Sequence, residues 1–176
     1  MQRIYIISGP AGVGKSTTSK RLAQSFEHSA YIEGDVIHHM VVGGYLPPWE
    51  SEASLSLVWK NIADLSINFI EDNKNVVIDY VAFPDEVEKF TRCVRSICPS
   101  TEVVYVVLWA DPDELMKRDD GRIKAYQMGE RCLELLKEFE NKGVDRRFLY
   151  DTTNLDPSHL EQAINEIKKN SEFIYS

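Results

Sequence analysis

The sequence predicts an α/β fold in which helices cover both faces of a parallel sheet, and three observations predict it. Short β-branched or aromatic runs alternate with longer segments of helical period along the whole chain. The candidate strands are nearly continuous apolar runs, the pattern of strands buried on both sides. A glycine-rich turn joins the first strand to the first helix. At 176 residues the chain is read as one domain, 1–176, without internal repeats, linkers or low-complexity stretches.

Strands are expected at Arg3–Ser8, 29–32, Asn75–Asp79, 102–110 and 147–150. Between them lie helices with readable ends. The first spans 15–25, directly after the glycine turn. A long helix follows Pro47-Pro48, with Ser51 as its N-cap and Leu55, Val58, Ile62, Leu65 and Phe69 as one buried stripe at three- and four-residue spacing. Pro84 opens the helix Pro84–Ile97, since proline fits a first turn. Asp111-Pro112-Asp113-Glu114 combines a capping aspartate, proline at the first helical position and glutamate at the third. A further helix runs to Asn141 and ends at Gly143, a left-handed cap, and Asp156-Pro157 opens the last.

Composition limits the partners. The chain is 43% hydrophobic and 27% charged, within the range of soluble globular proteins, and carries a net charge of −8. That balance argues against nucleic acid or an anionic membrane as partner, because both need basic patches. No apolar run reaches the length of a membrane span or of a signal peptide's core. Cys93, Cys98 and Cys132 are odd in number and lack metal-ligand spacing, so reduced thiols are expected. Together these features point to the cytoplasm.

The turn reads Gly9-Pro10-Ala11-Gly12-Val13-Gly14-Lys15-Ser16, which satisfies G-x-x-x-x-G-K-[ST] between a strand and a helix. Its glycines let the backbone approach phosphates closely. The N–H groups of residues 12–17, Thr17 included, then face inward at the positive end of the helix. Lys15 brings a mobile charge to the β- and γ-phosphates of ATP, and the Ser16 hydroxyl is placed to ligate Mg²⁺.

On this loop, the acidic turn Glu33-Gly34-Asp35, the Arg118/Arg122 region and the terminal strand-loop-helix from Phe148 to Ile164, the sequence resembles the small P-loop kinases related to gluconate kinase, shikimate kinase and chloramphenicol phosphotransferase. The resemblance covers nearly the whole chain. It implies a three-layer α/β/α P-loop NTPase fold, with a five-stranded parallel sheet in the order 2-3-1-4-5. It also implies a helical acceptor-binding insert, here residues 33–73, and a mobile lid, here 118–131.

Ligands of such sheets bind at the carboxyl ends of the strands, where Asp35 and Asp79 fall. The resembling kinases carry a carboxylate at the position of Asp35, which is read as acting on the acceptor hydroxyl. Asp79 is read as a Walker B carboxylate near Mg²⁺ or its water shell, also bordering the acceptor, with Glu33 as a further candidate for that shell. Each also fits a strand-end turn, where aspartate is common. Arg118 and Arg122, four residues apart, would share one helix face and offset γ-phosphoryl charge, as lid arginines do in the resembling kinases. They equally fit a solvated face paired with Asp113, Glu114, Asp119 and Asp120; Arg131 is a third candidate. Asn154, in Asn154-Leu155-Asp156-Pro157, corresponds to the loop that borders the adenine.

Segment 33–73 contains a single lysine, Lys60, and no arginine before Lys74. Nucleoside monophosphate kinases need cations here, and the sugar-acid and shikimate enzymes hold a carboxylate with arginine. The segment offers instead Glu33, Asp35, His38, His39, Trp49, Glu50 and Glu52. The expected acceptor is therefore a hydroxyl compound, neutral or cationic, with Trp49 either stacked on it or packed over the core. His38-His39 lacks the third ligand of a zinc site. An anionic acceptor and a P-loop ATPase acting on a protein partner are the rival readings. A GTPase switch is a further rival that the motifs disfavour, because Asp79-Tyr80-Val81-Ala82 has no glycine and Asn141-Lys142-Gly143-Val144-Asp145 is one residue too long and sits at a helix end.

Overall fold

The computed structural model describes residues 2–176. Its strands are β1 (Arg3–Ser8), β2 (Ser29–Glu33), β3 (Asn75–Asp79), β4 (Glu102–Trp109) and β5 (Leu149–Asp151). They form one parallel sheet in the order β2-β3-β1-β4-β5, as expected. The helices are α1 (Lys15–Gln24), α2 (Gly34–His39), α3 (Glu52–Glu71), α4 (Pro84–Ile97), α5 (Pro112–Asp120), α6 (Glu130–Asn141) and α7 (Leu160–Lys169). None of the helices among the described residues is long and apolar enough to cross a membrane.

The period of two along each strand divides the core into two layers. Ile4 and Ile6 of β1 pack with Val58 and Ile62 of α3 and Val87 and Phe90 of α4. Tyr5 and Ile7 pack on the other face with Leu22 of α1 and Ile164 and Ile167 of α7. Ser51 caps α3 by accepting from the Ser54 N–H at 3.2 Å. Such a cap contributes about 1 kcal/mol. Buried Val58 and Ile62 contribute roughly 1.5–3 kcal/mol each, so packing, rather than the cap, holds this helix on the sheet. Its buried face is wider than the expected stripe: Trp59 is buried and meets Tyr80 and Phe90 edge-on, while Leu55, Leu65 and Phe69 lie at the margin.

Several local expectations need correction. The last strand starts later than expected, because residues 146–148 form a 3-10 turn capped by the Asp145 side chain, which accepts the Arg147 N–H at 3.1 Å. Asp111 makes no side-chain cap; its own N–H is taken by the Thr153 hydroxyl at 3.0 Å. Asp156 caps a 3-10 turn, Pro157–His159, and the last helix begins only at Leu160. Gly143 does close α6 in the left-handed region, at φ 64°. One element was not anticipated. The chain turns helical at Gly34, immediately after β2, and a Cβ at this position would lie 2.3 Å from the Tyr80 ring. Only glycine lets α2 start against that ring.

Candidate active site

The carboxyl ends of β1, β2 and β3 are level, since Glu33 and Ile7 both stand in register with Asp79. The glycine turn leaves the sheet at this edge. Gly9, at φ 133°, presses so closely on β4 that a Cβ would sit 2.3 Å from the Leu108 carbonyl oxygen. Pro10 and Val13 are buried, Ala11 packs on the core beneath, and Gly12, at φ 83°, lies close to Leu115 and Asp119 of α5. The turn is thus fixed on its inner side and open on the other. α1 starts at Lys15 with Gly14 as an N-cap that offers no side chain, and its first turn holds no acidic residue. The first N–H groups of a helix lack intrahelical partners, so an uncapped, acid-free start is an anion site. Ser16 and Thr17 are exposed there.

The Lys15 ammonium folds back over the turn and donates to the Gly9 and Pro10 carbonyls, at 2.8 Å each. Burial pushes its pKa down to about 8, opposed by the charges of Asp79 and then Asp35, while Arg122 adds to the lowering. Asp35, Asp79 and Arg122 therefore each lie within electrostatic reach of Lys15, although the four come from separate parts of the chain.

Asp79 is buried at the end of β3 and accepts from the Tyr31 hydroxyl at 2.8 Å through Oδ2. The same hydroxyl lies 3.4 Å from Glu33 Oε2. Burial first, and then Asp79, push the Tyr31 phenol well above its ordinary range, so it stays a proton donor. Oδ1 of Asp79 has no protein donor among the described residues. With the Ser16 hydroxyl it offers the hard oxygen ligands that Mg²⁺ takes. Sequence reasoning missed Tyr31, although its i, i+2 spacing from Glu33 puts both on one face of β2. Asp35 does not share that face: it stands in the first turn of α2, exposed, and its charge raises Tyr80 after burial has done so.

The two expected lid arginines diverge. α5 ends at Asp120, so Arg122 lies beyond the helix and shares no helix face with Arg118. Arg118 pairs with Glu114 at 2.9 Å and donates to the Thr152 hydroxyl at 2.9 Å and its carbonyl at 2.6 Å. This fastens α5 to the loop after β5, where Asn154 is exposed in a turn closed by the Leu155 N–H and the Thr152 carbonyl at 3.0 Å. Arg122 pairs at 3.1 Å with Asp119, which is only 1% exposed. The second Asp119 oxygen accepts the N–H groups of Met128 and Gly129, both at 2.8 Å. These N–H groups and Arg122 outweigh burial and hold the carboxyl below its usual range. Asp119 is thus not part of a solvated face; it anchors residues 122–129. Beside it, Cys132 is buried and its thiol is pushed up to about 11 by burial and by Asp119, which keeps it neutral.

In segment 33–73 the structure separates the aromatic candidates. His38 is buried, with Nε2 3.1 Å from the Leu46 carbonyl and the ring against Tyr45, so it pins the loop that follows α2. Trp49 is 71% exposed in a turn closed by the Glu50 N–H and the Pro47 carbonyl at 3.0 Å. It does not pack over the core.

Comparisons with known proteins agree with this geometry. A family model described as AAA domain, AAA_18, matches residues 6–142. No curated protein sequence matches the chain. Among solved structures, the chain is similar to a gluconokinase from Sinorhizobium meliloti 1021, at 17% identity over 94% of this chain and 89% of that one, TM-score 0.64. It is similar to the Deinococcus radiodurans tunicamycin resistance protein, at 14% identity over 94% and 93%, TM-score 0.63. A shikimate kinase from Bacteroides thetaiotaomicron aligns at 20% identity over 95% and 97%, TM-score 0.59. With its turn, sheet order and family match in agreement, the chain belongs to the AAA domain family AAA_18 and has the P-loop kinase fold.

Proposed function

We propose that the chain is an ATP-dependent phosphotransferase acting on a hydroxyl of a small molecule that carries neither a phosphate nor a carboxylate handle. The observation that carries this reading is the convergence of Lys15, Asp35, Asp79 and Arg122 at an uncapped helix start. The P-loop, Gly9 to Thr17, would hold the phosphates, with Arg118 and Asn154 toward the adenine and Ser16 and Asp79 toward Mg²⁺. Bound Mg²⁺ and ATP supply the transferable phosphoryl group and part of the charge that balances it. The side chains supply the rest. Asp35 accepts the proton of the acceptor hydroxyl as its oxygen bonds to the γ-phosphorus and the bond from that phosphorus to the bridging oxygen breaks, releasing ADP. Lys15 and Arg122 offset the charge on the equatorial oxygens. Residues 118–131 act as the lid that excludes water, and Asp119 fixes its base.

Residues 33–73 form the acceptor side. Its cation-poor sequence favours an acceptor without an anionic group, as does the position of Asp35 and Glu33 at its entrance. The similarity to a gluconokinase and a shikimate kinase supports kinase chemistry, while this segment separates the chain from their substrates.

A coupled ADP-release screen over nucleosides, sugars, sugar acids and aminoglycosides tests the reading. Acceptor-dependent ADP release is expected, abolished in Lys15→Ala and reduced about a hundredfold or more in Asp35→Asn with ATP affinity retained. ATP turnover that ignores every small acceptor and answers only to a protein partner would overturn it. Saturable turnover of gluconate, shikimate or a nucleoside monophosphate at micromolar KM would overturn the acceptor class.

A further inference from the structure

Among the described residues, every exposed large hydrophobic side chain except Ile97 falls within residues 33–73 or 118–131. These are the two segments proposed above to close on the acceptor. Monomeric proteins seldom concentrate apolar exposure in this way without a ligand for it. One contact joins the segments. The guanidinium of Arg131, in the first turn of α6, lies over the Trp49 ring, 5.9 Å from its centroid. Arg131 is itself held in place by Glu134 and Glu138, both at 3.0 Å. Its neighbour in sequence, Cys132, is buried beside Asp119, the anchor of residues 122–129.

Resting on the phosphotransferase reading, we propose that Trp49, backed by Arg131, is a stacking platform that selects an acceptor with a neutral ring. Three features carry the inference. The turn from Pro47 to Glu50 fixes the backbone that carries the indole, and Arg131 lies over the ring, which lowers the ordering entropy that stacking costs. At 71% exposure, the ring has one face under the guanidinium and ample surface left for a partner. The cation also draws π-electron density toward its own face. The opposite face then suits a neutral ring better than a second cation. The acceptor class narrows from neutral or cationic to a neutral, ring-bearing alcohol, of which a nucleoside is the simplest example. Met40 and Leu46 of one segment and Ile123 and Met128 of the other add further exposed apolar surface.

The test uses the whole protein saturated with Mg·ADP, so that added nucleosides do not occupy the adenine position. Uridine, cytidine, guanosine and adenosine are titrated beside a pyridinium nucleoside of similar size and kanamycin, a polycation without an aromatic ring. Tryptophan fluorescence and calorimetry report binding. At least one neutral nucleoside is expected to bind and quench, about tenfold more tightly than the pyridinium nucleoside. Trp49→Ala should weaken it about tenfold with ADP affinity unchanged, Trp49→Phe should weaken it less, and Arg131→Gln should narrow the gap between neutral and cationic rings. The proposal is overturned if no neutral nucleoside binds, if the pyridinium compound binds as tightly, or if Trp49→Ala changes nothing. Turnover of a ringless acceptor, undiminished in Trp49→Ala, sinks the platform and leaves phosphotransfer standing. Nucleoside-dependent quenching with Mg·ADP, but no ADP release when Mg·ATP replaces it, does the reverse.

Discussion

The Tyr31 hydroxyl donates to Asp79 Oδ2 at 2.8 Å across the two outermost strands of the sheet's β2 side. That bond holds one Asp79 oxygen and leaves the other for the proposed Mg²⁺. Outer partners of this kind change metal affinity by about 10- to 100-fold. In Tyr31→Phe, the Mg²⁺ concentration needed for half-maximal binding of a fluorescent ATP analogue should rise about tenfold. Nucleotide binding in EDTA should not change. Equal losses with and without Mg²⁺ would show that Tyr31 only supports the fold.

Lys15 links nucleotide binding to pH. Its free-state pKa of about 8 means that the ammonium is half deprotonated near that pH. Phosphate oxygens beside it favour the charged form. ATP binding at pH 8 should therefore take up about half a proton, and affinity should fall as pH rises above that point. Calorimetry in two buffers of different ionisation enthalpy measures the uptake, and Lys15→Ala should remove it.

Asp119→Asn keeps the volume but removes the charge and one strong acceptor from a site that serves Met128, Gly129 and Arg122. Hydrogen bonds to a charged acceptor are the stronger kind. Amide exchange at Met128 and Gly129 should accelerate roughly tenfold or more, with exchange in β1 and β4 unaffected. Turnover should fall with it, since the proposed lid would lose its fixed base.

Glu86 accepts the Phe83 N–H at 2.7 Å in the first turn of α4, and burial pushes its carboxyl up to about 7 from an ordinary 4.5. The folded protein thus keeps this proton between pH 4.5 and 7 while the unfolded chain has lost it. Its contribution to stability is largest below that window and declines as pH rises through it. Glu86→Gln retains an acceptor for Phe83 and cannot ionise. Its Tm should match the parent near pH 4.5 and exceed it at pH 8, a comparison that thermal melts make directly.

Local patterns carried most of the architecture. The run from Ile4 to Ile7 is almost wholly buried, as a continuous apolar strand should be. The glycine turn was legible because its spacing encodes backbone shape as well as chemistry. Relationships between distant segments were not. Arg118 reaches Thr152, 34 residues away, and nothing in the periodicity of α5 marks that partner. Asp119 binds N–H groups nine and ten residues downstream, and backbone donors leave no trace in side-chain identity. His38 and Trp49 looked alike as candidates, yet one is turned to a carbonyl within its own loop and the other outward. That choice depends on how the chain between α2 and α3 folds back, which no local rule sets.

The position of β2 at the margin of the sheet has a consequence for how such proteins diversify. β2 has one neighbour, β3, and the chain departs from it at Glu33 and returns only at Asn75. Residues can be gained, lost or exchanged between those points without any ladder having to be re-registered. The phosphate turn, by contrast, leaves β1 at the centre of the sheet and is pressed against β4. The turn is therefore tied to the sheet through both β1 and β4, while the stretch after β2 is tied to it chiefly through the buried face of α3. If the proposed acceptor role of that stretch holds, exchanging it between family members with the α3 core face kept is the natural route to a new acceptor on an unchanged phosphate turn.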